Sequence, residues 1–123
     1  MMYQNPLENH DFLAVASLLR QKPHASARLT GGPGVPILRG VVRLYPMARG
    51  VLMAVEVDHL PQGTFFDLTL EGEVPLPPLL SHRGRALQVM VAGGCTVEDL
   101  MGRGVTLRGQ GTSQLLAQGT ICP

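Results

Sequence analysis

Aromatic side chains and long apolar runs are both scarce in this sequence. Only five of the 123 residues are aromatic although 45% are hydrophobic, so the core has to be built from Val, Leu, Ile, Met and Ala. No segment approaches the roughly 20 consecutive apolar residues that a membrane-spanning helix needs. The N-terminus also lacks the basic-then-apolar order of a secretory signal peptide. These absences predict a cytoplasmic domain with an aliphatic core and no membrane span.

Concentrated charge and paired cysteines are missing as well. The formal net charge is +1, and the arginines stand singly among apolar residues, so no nucleic-acid-binding surface is indicated. The two cysteines, Cys95 and Cys122, belong to no Cys-x-x-Cys pair. They could form one disulfide, but a cytoplasmic location favours two thiols. Neither cysteine provides a zinc or redox motif.

Glycine and proline, in contrast, are abundant and occupy 25 of the 123 positions, which predicts many short strands joined by turns. Only residues 5–22 have a helical pattern, and a helix of this length must dock its apolar stripe on the domain or on a partner. The stripe contains Phe12, Val15, Ala16 and Leu19, with Leu13 beside it. We therefore expect a helical extension over residues 1–24 and one β domain over residues 25–123.

Strand candidates follow one another along the β domain, because short apolar segments are bounded by turn residues. They are Ala25–Thr30, Ile37–Tyr45, Val51–Asp58, the stretch Thr64–Glu73, Arg85–Val91, Gly104–Arg108 and Leu115–Ile121. Three prolines in residues 71–83 exclude an interior strand there, and Thr96 is predicted to cap one helical turn. Seven or eight strands at this spacing predict an antiparallel sandwich or a flattened Greek-key barrel.

The stretch TFFDLTLEGE at residues 64–73 alternates most clearly. Phe66, Leu68 and Leu70 are expected to face the core, and Asp67 and Thr69 to face outward together with Glu71. The outward side of this strand therefore carries carboxylates and a hydroxyl. From the alternation alone, that side is either the wall of a functional site or an ordinary solvated surface.

The order of five segments resembles the copper/zinc superoxide dismutase family. The segments are ILRGVVRLYPMARGVLMAVEVDHLPQG, FDLTLEG, LPPLLSHRGRA, TVEDLMGRGVTLRG and LLAQGTI. The resemblance covers roughly Ala27–Ile121 and excludes the N-terminal helix. It implies an eight-stranded Greek-key β-barrel, a divergent bacterial member of the family and, since the family often dimerises, a homodimer. In that family, copper and zinc lie on the outside of the barrel, and copper dismutes superoxide.

The ligand residues of the family are absent at the matching positions. The family's Phe-His-x-His motif falls on residues 66–69, where Asp67 and Thr69 replace the two histidines. Arg108 takes the place of the last copper-ligand histidine, and Pro75 that of the zinc-ligand aspartate. The resemblance thus implies a degenerate site with no catalytic residue and no bound copper or zinc. Asp67 and Arg108 are expected to face each other as an ion pair.

Three functions remain open at this stage. The first is a non-catalytic binding or structural domain whose partner is a second copy or another protein. The second is a superoxide dismutase, or another metal-dependent redox enzyme, with an altered site; its best remaining ligand is His82, which lies near the family's site region. The third is a small-ligand binder whose pocket lies where the family's loops are shortened. In the family, an arginine near the C-terminus guides the anion, and Leu115 holds its place here.

Overall fold

The computed structural model describes residues 2–4, 12–63, 65–72, 76–110 and 114–123. This part of the chain contains nine strands and two helices. The strands are β1 (Met2–Gln4), β2 (Ala25–Gly31), β3 (Arg39–Met47), β4 (Gly50–Asp58), β5 (Phe65–Leu70), β6 (Leu79–Leu80), β7 (Ala86–Gly93), β8 (Gly104–Gly109) and β9 (Leu115–Thr120). The helices are α1 (Phe12–Leu19) and α2 (Val97–Leu100). None of the described helices is long and apolar enough to cross a membrane.

The nine strands form one antiparallel sheet in the order β1-β7-β4-β3-β2-β9-β8-β5-β6. Strands β2 to β9 curl into a nearly closed barrel, since a turn at residues 82–85 brings the chain from β6 to β7. Strand β1, which the sequence did not predict, pairs with the far end of β7, where Tyr3 lies opposite Ala92. The predicted all-β barrel is therefore confirmed.

The barrel core consists of the inward-facing residues, which alternate with outward-facing ones along each strand. In β5, Phe66, Leu68 and Leu70 are buried, while Asp67 and Thr69 are only half-buried. In β4, the predicted inward residues are Val51, Met53, Val55 and Val57, and all four are fully buried. Period-2 alternation therefore assigned the faces of both strands correctly, because successive side chains of a strand point to opposite faces of the sheet.

Helix α1 docks on the outside of the barrel, as its apolar stripe predicted. The helix packs on the barrel through a second apolar cluster, distinct from the main core. The buried members of this cluster are Val15, Tyr45, Leu52, Ala54 and Val91. At Leu52 and Ala54, strand β4 is consequently covered on its outer face as well, which explains why these two outward residues are apolar. The described helix spans Phe12–Leu19, so it ends three residues before the predicted end at Lys22. Residues 5–11 of the predicted helix lie outside the described part.

The docked side of α1 differs from the predicted stripe. Val15 is 4% exposed and Leu18 is partly buried against the second cluster, whereas Leu13 is 74% and Leu19 36% exposed. Leu19 was therefore assigned to the wrong side. Residues 15 and 18 are three positions apart and share one helix face, so Val15 and Leu18 together reach the sheet.

Two local structures follow from turn and capping chemistry. At residues 82–85, the N–H of His82 donates to the Arg85 carbonyl at 2.7 Å and the N–H of Arg85 donates back at 3.1 Å. The two central residues, Arg83 and Gly84, have φ of 53° and 79°, as a two-residue hairpin turn requires. The predicted cap is confirmed: the Thr96 hydroxyl accepts from the N–H of Asp99, whose carboxylate accepts from the N–H of Thr96. Neither Cys95 nor Cys122 forms a disulfide.

The proline-rich segment contains one short strand that the sequence analysis treated as loop. Leu79 pairs with Phe66, and Leu80 pairs with Phe65. The strand follows directly after Pro77 and Pro78 and lies at the end of the strand order. Its position agrees with the predicted exclusion of an interior strand, since proline cannot donate a hydrogen bond to a sheet.

Candidate functional site

The residues that the sequence analysis selected lie on two adjacent strands. Asp67 of β5 is the direct cross-strand partner of Arg108 of β8, and Thr69 is the partner of Thr106. The residues between them, Leu68 among others, point into the core. The four polar side chains therefore share the outer face of β5 and β8, because directly opposite residues of an antiparallel pair lie on the same face. We call these four residues the β5–β8 site.

The expected ion pair in this site is not formed. Asp67 and Arg108 both belong to the described residues, both are half-buried, and no ion pair joins their side chains. A charge pair at the surface of a protein contributes little to stability even when it forms, on the order of 0–1 kcal/mol. The site thus presents one carboxylate and one guanidinium side by side, with two hydroxyls in the next row.

Of the other residues that the sequence singled out, His82 lies apart from the β5–β8 site and Leu115 lies beside it. His82 is exposed in the turn that precedes β7, where its backbone is bonded to Arg85. Leu115 of β9 lies opposite Arg108 and is 40% exposed. Pro75 falls outside the described residues. Among the residues that the structure describes, no group of three or more His, Cys, Asp or Glu side chains could hold a metal ion.

The side chains of the β5–β8 site do not suit copper. Copper in proteins is bound by imidazole or by soft sulfur ligands, and this face offers a carboxylate, two hydroxyls and a guanidinium. The guanidinium is a permanent cation and has no lone pair to donate to a metal. A copper ion placed at this face would therefore meet a repulsive charge where the resemblance places a ligand.

Exposed apolar residues border the β5–β8 site, which sequence reasoning missed. Phe65 and Leu80 are cross-strand partners and are 45% and 58% exposed. Leu87 is 75% exposed. It follows the 82–85 turn by two residues, and Leu80 precedes that turn by two residues. We call Phe65, Leu80 and Leu87 the seam patch. The sequence could have indicated the exposure of Phe65, because Phe65 is two residues from the outward residue Asp67 and therefore lies on the same face of the strand.

A second polar region lies on the other side of the barrel, on the outer face of β2, β3 and β4. Three arginines, Arg28, Arg39 and Arg43, line a cleft of about 630 Å³ together with Glu56 and Asp58. We call this the arginine cleft. These arginines stand apart in the sequence, and only the pairing of β2 with β3 brings Arg28 next to the other two.

Comparisons with known proteins identify no relative: no family model matches the chain, and no curated protein matches it significantly. The resemblance to the superoxide dismutase family therefore stays a prediction from the sequence.

Proposed function

We propose that this chain is a superoxide dismutase-like barrel that does not bind copper or zinc and acts by non-catalytic binding. The observation that carries the proposal is the position of Asp67, Thr69 and Arg108. All three residues lie on one outer face, on adjacent strands, as the resemblance requires of its copper ligands. None of the three side chains is an imidazole. This arrangement without imidazoles supports a site that has lost its metal ligands.

The strand order supports the barrel type in this proposal. Strands β5, β6 and β7 follow one another in the chain, and the strand that precedes them, β4, lies beside β7 and not beside β5. A long connection that places the fourth of four consecutive strands beside the far one of the other three is typical of a Greek key. This connection supports the Greek-key barrel that the resemblance implies.

The seam patch supports a binding role. Contiguous exposed apolar patches often mark interaction surfaces, whereas apolar residues scattered singly over a surface do not. Phe65 lies on the same strand face as Asp67, Leu80 is its cross-strand partner, and Leu87 follows on the next strand of the chain. Each of the three is at least 45% exposed. The proposed partner is a second copy of the chain, because an apolar patch can pair with its own symmetry mate across a two-fold axis.

Metal analysis tests the proposal directly. The untagged protein is purified from cells grown with added copper and zinc, and its metal content is measured by elemental analysis beside a superoxide-consumption assay. We expect neither metal at a stoichiometric level and no activity above that of the buffer. Stoichiometric metal together with superoxide-dependent activity would overturn the proposal.

The competing metalloenzyme hypothesis makes a separate prediction about His82. An altered site that depends on this side chain has to lose its metal in the variant His82→Ala. The matched control is His59→Ala, since His59 is also an exposed turn histidine. Loss of metal from His82→Ala alone would favour the metalloenzyme over the non-catalytic domain.

A further inference from the structure

The arginine cleft concentrates positive charge on three neighbouring strand positions. Thr30 of β2 lies opposite Arg39 of β3, Arg28 opposite Val41, and Ser26 opposite Arg43. Arg28 is therefore diagonal to both Arg39 and Arg43, a distance that long side chains can bridge. The three guanidinium groups surround one valine, and like charges at this spacing repel one another.

The two carboxylates in the cleft are already paired with Arg43 and Arg85. Asp58 accepts from Nε of Arg85 at 2.6 Å. Glu56 bridges Nη2 of Arg85 at 3.3 Å and Nη1 of Arg43 at 3.4 Å. Two carboxylates thus balance Arg43 and Arg85, and the charges of Arg28 and Arg39 have no carboxylate partner among the described residues.

Arg39 is held in place without being neutralised. Its Nη1 donates to the carbonyl oxygens of Pro36 and Leu38, both at 2.8 Å. These bonds occupy one nitrogen of the guanidinium and leave Nε and Nη2 available, since a guanidinium carries five N–H donors. Asp58 is the cross-strand partner of Arg39, but its carboxylate pairs with Arg85 instead. Two neighbouring, uncompensated guanidinium groups, one of them anchored, would be stabilised by a bound anion.

We propose that the arginine cleft binds the phosphate group of a small phosphorylated molecule. A guanidinium presents two parallel N–H donors that match two oxygens of one phosphate. Arg28 and Arg39 supply two such forks, and the hydroxyl of Thr30 lies beside Arg39 as a further donor. A volume of about 630 Å³ also leaves room for the organic part of the ligand. This binding does not depend on the superoxide dismutase resemblance.

Calorimetric titration at constant ionic strength tests the site. The probes are inorganic phosphate, glycerol 3-phosphate and, as an anion without a phosphate group, succinate. We expect both phosphate probes to bind and succinate to bind more weakly. Tighter binding of glycerol 3-phosphate than of inorganic phosphate identifies a phosphate monoester as the ligand; equal binding identifies the phosphate ion itself. Absence of saturable binding of either phosphate probe at up to about 10 mM overturns the proposal.

Variants locate the binding. Arg28→Gln is the main variant, because Arg28 is exposed and its removal breaks no ion pair with the described residues. It should weaken both phosphate probes about tenfold, the loss of one charge-assisted hydrogen-bond pair. Arg49→Gln is the control, since Arg49 is an exposed arginine in the turn after β3. The control variant should bind both phosphate probes as the native chain does. Equal weakening in both variants, or in neither, contradicts the assignment.

Discussion

Asp67 and Arg108 are direct cross-strand partners on the outer face of β5 and β8, yet no ion pair joins their side chains. Their backbone positions are fixed by the adjoining residues on each strand, since Leu68 and Leu107 are fully buried in the core. The outer side chains can therefore change without disturbing the strands that carry them. This separation of structural and exposed residues makes the β5–β8 site open to direct tests.

Restoring imidazoles at the three positions should create a copper site. In the variant Asp67→His, Thr69→His, Arg108→His, two histidines lie two residues apart on one strand and the third lies directly opposite the first. Imidazole ligands favour Cu²⁺, so we expect binding with a dissociation constant of roughly 10 µM or tighter. Calorimetry and electron paramagnetic resonance measure it.

The control for this experiment replaces the same three residues by alanine, which removes both charges without adding imidazoles. That variant should not bind copper. If the histidine variant folds, as judged by circular dichroism, and takes up no more copper than the alanine variant, the β5–β8 site does not have the geometry that the resemblance assigns to it.

The seam patch should carry self-association. We expect the native chain to be a dimer in sedimentation equilibrium and the double variant Leu80→Lys, Leu87→Lys to be a monomer, because each lysine would place a charge in an apolar contact. Ile37→Lys is the matched control, since Ile37 is 67% exposed outside the seam patch. A native chain that remains monomeric at about 100 µM would show that the partner is not a second copy.

Much of the barrel could be predicted from the sequence because alternation and turns are local signals. The inward residues of β4 and β5 followed from period-2 patterning, and Thr96 followed from capping chemistry. Strands β1 and β6 have three and two residues, too few for alternation to be recognised. Strand β1 also pairs with β7, which is distant in sequence.

The two candidate sites differ in the same way. Asp67 and Thr69 were selected because they share a strand, so their common face can be read from the sequence alone. Arg28 and Arg39 lie on different strands, separated by the turn-rich segment 31–38, and only the β2–β3 register makes them neighbours. The sequence contains no local pattern that reports such a register.

Stability should depend on Leu68 and hardly on its neighbour in the β5–β8 site. Leu68 is fully buried in the main core, and truncating such a side chain leaves a cavity. Leu68→Ala should therefore lower the free energy of unfolding by about 2–5 kcal/mol. Thr69→Ala, one position along the same strand but facing outward, should cost less than about 1 kcal/mol. Urea denaturation measures both values, and similar losses would contradict the assigned faces of β5.

Removal of a carboxylate from the arginine cleft should strengthen phosphate binding. Glu56 bridges Arg43 and Arg85, so Glu56→Gln removes one negative charge from the cleft and releases two guanidinium groups. The affinity for inorganic phosphate should then rise roughly twofold to fivefold at low salt, the scale of an exposed charge interaction, and the gain should shrink as salt screens it. Asp67→Asn serves as the control, because it removes the same charge on the other side of the barrel. An equal gain in Asp67→Asn would indicate that phosphate responds to net charge, and an unchanged affinity in Glu56→Gln would place the phosphate elsewhere.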